Sequence, residues 1–184
     1  YMKRGLELFK SELYTGKKCE RLEQLLDLKL PQTFILFYEV YKLGQECFLN
    51  AKRSFDDILL PITAVEYLNK EQDVQLRISH FYEIKELLER WNEDIRFSSL
   101  YKSNKLLPIA YEEVNLGQVY LCLSEKKFGS VWYLDDYESS KPVFLSENIF
   151  KFGSCLIETE IFDEDFIDKE IYKNWGEDFW RVRE

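Results

Sequence analysis

The sequence predicts an α+β domain, with helices flanking a mostly antiparallel sheet, and three observations predict it. The stretch LLPIAYEEVNLGQVYLCLSEKKFGSVWYLDDY, residues 106–137, alternates apolar and polar side chains as paired strands do. Helical apolar stripes stand before it and after it. No internal repeat, low-complexity tract or Gly/Ser linker interrupts the order, and this segregation of helices from strands defines the class. At 184 residues, with 46% apolar and 16% aromatic side chains, the chain suits a single core. We therefore read residues 16–184 as one domain with an acidic C-terminal helical extension, and residues 1–15 as a segment that frays or makes a short helix.

After Gly16, the segment KCERLEQLLDLKLP places Leu22, Leu25 and Leu26 at helical spacing. Pro31 suits the first position of a second helix, where its missing N–H has no partner to lose. Phe34, Phe37, Tyr38 and Tyr41 then make an i, i+3, i+4, i+7 stripe ending near Gly44. A short strand is expected around Ile58–Ile62, with Pro61 favouring an edge, and Thr63 is placed to cap a following helix. From His80 onward, Phe81, Ile84, Leu87, Leu88 and Trp91 define one helical face, and Glu86 and Arg90 stand at i, i+4 in the favourable order.

SSLYKSNK reads as a connection, and the alternating stretch follows it. There Val119, Leu121 and Leu123 face one way and Tyr120, Cys122 and Ser124 the other. EKKFG turns the chain and SVWYLDD returns, an antiparallel hairpin in which Tyr120 and Trp132 meet across strands on the second face. Beyond it, Ile149, Phe152, Leu156 and Ile157 read as one helical face after a Ser146 cap. A last acidic helix, DEDFIDKEIYKNW, turns Phe166, Ile167 and Ile171 inward.

The residue types point away from catalysis. A Ser-His-Asp or Cys-His hydrolase needs a base beside its nucleophile, and His80 is the only histidine, read here as a structural residue opening a helix. Neither GxGxxG nor GxxxxGK[ST] occurs. Cys19, Cys47, Cys122 and Cys155 are scattered without a CxxC, which suits reduced, mostly buried thiols better than zinc ligands. The carboxylate pairs Asp135/Asp136 and Glu158/Glu160 match the residue types of glycosidases and Mg²⁺ nucleases, but neighbouring acids are ordinary in so acidic a chain, and adjacent strand residues face opposite ways. We expect no enzyme, no cofactor and no metal.

Residues 1–105 carry 17 basic and 17 acidic side chains; residues 106–184 carry 8 and 17, the whole of the net −9. A field of that sign attracts a basic partner and repels phosphate backbones, so direct nucleic-acid binding is not expected. Solubility is the plainer use of the same acidity. No apolar run reaches membrane-span length, and YMKRGLELFK has no apolar signal-peptide core, so a cytoplasmic protein is expected. The candidate partner-binding residues are Glu112, Glu113, Asp135 and Asp136 at strand ends, Asp163, Glu164 and Asp165 opening the last helix, and Tyr120 and Trp132 as aromatic anchors, burial under the last helices being the alternative for these two.

LEQLLDLKLPQTFILFYEVYKLG, with its Leu-Pro corner and aromatic helix, and LLPIAYEEVNLGQVYLCLSEKKFGSVWYLDDY, with its PIA strand, Gly-led strand and glycine turn, together resemble the SUKH superfamily. That superfamily holds yeast cell-wall regulators of the Smi/Knr type and bacterial immunity proteins. LSENIFKFGSCLIE is similar to its helix after the sheet, so the resemblance spans about residues 20–158. It departs at Leu43-Gly44, where Asn-Gly is usual. The resemblance implies a SUKH-like domain and a non-enzymatic binding protein: an immunity protein that neutralises a cognate, basic, nuclease-type toxin, or alternatively a regulatory scaffold of the Smi/Knr type. The oligomeric state stays open, with a monomer favoured.

Overall fold

The computed structural model describes residues 3–12, 18–49, 62–69, 73–93, 105–114, 116–135 and 141–161. Seven strands form one antiparallel sheet: β1 (Ile62–Asn69), β2 (Val74–Phe81), β3 (Leu106–Glu112), β4 (Gln118–Cys122), β5 (Val131–Leu134), β6 (Val143–Ser146) and β7 (Leu156–Ile161). Their order is β6-β5-β4-β3-β2-β1-β7. The described helices are α1 (Lys18–Leu26), α2 (Gln32–Val40), α3 (Ile84–Glu93) and the short α4 (Ile149–Ser154). The fold is α+β, as the patterns predict.

β3 stands mid-sheet and is covered on both faces, which is why LLPIA reads as a continuous apolar run. Pro108 sits in this central strand because the register with β4 shifts between Pro108 and Ala110, a bulge that spares the ladder a missing donor. Val119, Leu121, Leu123 and Val131 are buried in one core with Phe81, and Leu88 and Trp91 pack against it. The predicted hairpin keeps its register, with Tyr120 opposite Trp132.

The Leu-Pro corner forms as expected. Leu30 N–H donates to Glu23 Oε1 at 2.9 Å, and the Pro31 carbonyl accepts the first bond of α2 from Ile35 at 3.0 Å. Phe34, Phe37 and Tyr38 are fully buried, and the Tyr38 hydroxyl donates to the Tyr82 carbonyl at 3.1 Å. Within residues 3–12 the chain is built into the core. Gly5–Leu8 is a 3-10 turn, Leu8 and Phe9 are buried, and Lys10 N–H donates to the Cys47 carbonyl at 2.9 Å. Phe9 lies edge-on to Phe37 and Phe81, with centroids 5.1 and 5.3 Å away.

Four elements differ from the sequence reading. Thr63 lies in β1 and caps no helix. His80 and Phe81 end β2, and α3 begins only at Ile84. Asn148, not Ser146, caps α4, its Oδ1 accepting from Lys151 N–H at 3.0 Å. Leu156 and Ile157 open β7, which pairs antiparallel with β1. The strand expected at 58–62 falls mostly, and the helix from Asp163 wholly, outside the described residues.

The sheet also curls. Tyr67 on β1 donates its hydroxyl to the Leu145 carbonyl of β6 at 2.7 Å, although four strands separate the two in sheet order. Leu145 is the extra residue where the β5–β6 register shifts, between Phe144 and Ser146. Phe152 of α4 stacks on Tyr67 at 5.0 Å, filling the bend.

Candidate interaction surface

The turn between β4 and β5 builds an open aromatic groove. Glu125–Lys127 is a 3-10 turn, and Gly129 follows at φ 87°, a conformation side chains rarely adopt. A Cβ there would also come 3.2 Å from Pro31 Cβ, so the turn rests on the Leu-Pro corner. Ser130 then fixes Trp132: the indole Nε1–H donates to Ser130 Oγ at 2.8 Å, and the Ser130 hydroxyl donates to the Lys127 carbonyl. Phe144 of β6 meets the indole edge-on, centroids 5.3 Å apart at 71°.

Trp132, Phe144 and Phe128 wall a shallow groove of about 510 Å³, and Phe128 is 47% exposed. Glu125, Lys126, Lys127 and Glu147 supply its charges. Lys127 Nζ lies 4.0 Å from the Trp132 ring centroid, a cation–π contact. Glu147 is ion-paired with Lys151 of α4. Rigid aromatic walls with a charged rim are the chemistry of a protein-docking surface, where Trp side chains carry much of the binding energy.

Of the described residues among those named from sequence, only Trp132 joins this groove. Tyr120 is 1% exposed and packs with Leu106, Cys122 and Leu134 on the second face of the sheet, so it is a core residue and no surface anchor. Glu112 is fully buried. Its Oε1 accepts from Val114 N–H at 2.9 Å and Arg77 N–H at 3.4 Å, and Tyr133 donates to Oε2 at 3.3 Å, a structural carboxylate binding the β3–β4 turn. Glu113 is half-buried beside it, its N–H donating to the Arg77 carbonyl at 2.9 Å. Asp135 is half-buried at the end of β5. Asp136, Asp163, Glu164 and Asp165 lie outside the described residues.

Glu158, His80 and the cysteines have structural surroundings. Glu158 is buried and accepts from Lys3 N–H at 2.9 Å. His80, in β2, places Nε2 3.7 Å from Glu86 Oε1 and tilts against Tyr111, joining strand to α3. Cys19, Cys47 and Cys122 are buried thiols and Cys155 an exposed one; burial pushes the Cys47 pKa from 9.0 up to about 12. Among the described residues, no three His, Cys, Asp or Glu side chains converge to hold a metal.

Phe128, Phe144 and Lys127 were missed by sequence reading. Phe128 lies in a turn, where periodicity says nothing, and Phe144 in a four-residue strand too short to show alternation. The available signal was a large aromatic beside a turn glycine in EKKFG, an expensive residue to leave exposed.

No helix among the described residues is long and apolar enough to cross a membrane. No curated protein matches the chain. The SMI1 / KNR4 family (SUKH-1) matches residues 15–152, a span holding the Leu-Pro corner, strands β1 to β6 and the aromatic groove, and the chain belongs to that family.

Proposed function

We propose that this chain is a non-enzymatic immunity protein that binds and neutralises a cognate toxin of basic, nuclease type in the cytoplasm of the producing cell. The observation that carries the reading is the groove walled by Trp132, Phe144 and Phe128, an immobilised aromatic surface with a charged rim on a chain of net charge −9. A nuclease must be basic where it holds nucleic acid, and an acidic partner meets that surface with fast, steered association. Family membership supports the reading, since SUKH proteins include immunity proteins.

The test is co-expression with the toxin domain encoded beside this gene. Cells should survive, and the two proteins should elute as one complex. Survival without a complex, or no protection against any neighbouring toxin, would turn the reading toward a regulatory scaffold of the Smi/Knr kind.

A further inference from the structure

We propose that the outer face of Trp132 is a receptor for one basic side chain of the partner, arginine above lysine, and that Lys127 occupies this face until the partner displaces it. The inference rests on the reading of the chain as a binding protein and names the group its groove receives. The ring already accepts a cation, with Lys127 Nζ 4.0 Å from its centroid, well inside the ~6 Å reach of such contacts. The ring cannot turn away, because Ser130 holds Nε1 and Phe144 stands against its edge. The occupant can leave: Lys127 is exposed on a three-residue turn whose backbone is pinned by Ser130 N–H at 3.0 Å, so its side chain swings out without moving the chain.

The exchange is charge-neutral. Glu125 and Glu147 line the groove beside Lys126 and Lys127, with Glu147 already paired to Lys151. When Lys127 swings into solvent, the incoming cation takes its place against the ring, so the groove keeps the charge it had. A guanidinium fits better than an ammonium because it stacks flat on the indole while its edge N–H groups reach carboxylates, and it is more weakly hydrated. Lys127 must also be ordered to hold its present place, an entropic cost that an arginine fixed on a folded partner has already met.

The experiment titrates tetra-arginine amide, with tetra-lysine and tetra-glutamate as controls, into the wild type and the Lys127→Ala variant. The Trp132 indole N–H signal, assigned with Trp132→Phe, is followed by NMR. The expected result is a saturable shift with tetra-arginine, weaker with tetra-lysine and absent with tetra-glutamate, and about two- to fivefold tighter in Lys127→Ala. A Trp132 signal that does not move in Lys127→Ala, or an affinity unchanged by removing Lys127, would overturn the proposal and leave only diffuse attraction to an acidic chain. Because no toxin is present, this result is independent of the protection assay: peptide binding without protection sinks the immunity reading alone, and protection without peptide binding sinks this one alone.

Discussion

Glu112 shows at the scale of one residue how burial changes a meaning. From sequence it is an acid at a strand end, a solvated charge; in the fold its carboxylate is buried and takes bonds from Val114, Arg77 and Tyr133. Glu112→Ala should cost about 1–3 kcal/mol in urea unfolding, because donors are left buried without acceptors. Leu121→Ala should cost about 2–5 kcal/mol by the same measurement, since Leu121 is fully buried in the core face of β4. Cys47 carries a pH dependence of definite sign. Its folded pKa is raised from 9.0 to about 12 by burial, so above pH 9 the unfolded state releases a proton that the folded state keeps. Stability is therefore full below pH 9 and falls as pH rises toward 12. Cys47→Ala should flatten that fall by up to about 1.4 kcal/mol per pH unit in melts across the range.

Among the elements, α2 and the β4–β5 hairpin were legible because their apolar side chains keep one period from end to end: Phe34, Phe37 and Tyr38 on one helix, Val119, Leu121 and Val131 against Tyr120 and Trp132 on two strands. β2 was not, because its alternation through Leu76 and Ile78 breaks at the irregularity between Ile78 and His80, leaving Phe81 in phase with α3. β7 was hidden similarly: Leu156 falls four residues after Phe152, a helical interval, while the chain between them changes from helix to strand at Cys155. The cap of α4 is testable, and Asn148→Ala should cost about 1 kcal/mol of thermal stability, Ser146→Ala less. Tyr67→Phe should cost about 1 kcal/mol by removing the bond to Leu145.

For the molecule as a whole, the sequence showed the class and the sign of the charge, and the structure added an aromatic groove around Trp132. Only Trp132 was named beforehand, because an aromatic that breaks a strand's pattern is visible in sequence, whereas the meeting of Phe128 and Phe144 with it depends on β6 pairing with β5. If a basic toxin is the partner, Trp132→Ala should weaken the complex about thirtyfold by calorimetry, as central aromatic anchors do. Reversing Asp135 and Asp136 to Lys should slow association at low salt more than at high salt, while Glu7→Lys, on the exposed N-terminal turn, should do little.

The pairing of β1 with β7 bears on how the chain is made. Ribosomes release it from the N-terminus, and β1 can zip to β2 as soon as residue 81 is free, but its other side waits for Leu156–Ile161. Lys3 waits equally long for Glu158, 155 positions away. From the release of β1 until the release of β7 the nascent chain thus presents β1 as a bare edge, the kind of template to which other chains add. A truncation ending just before Leu156 would freeze the protein in that condition, and its yield would be governed by chaperone supply more than by the strength of the core.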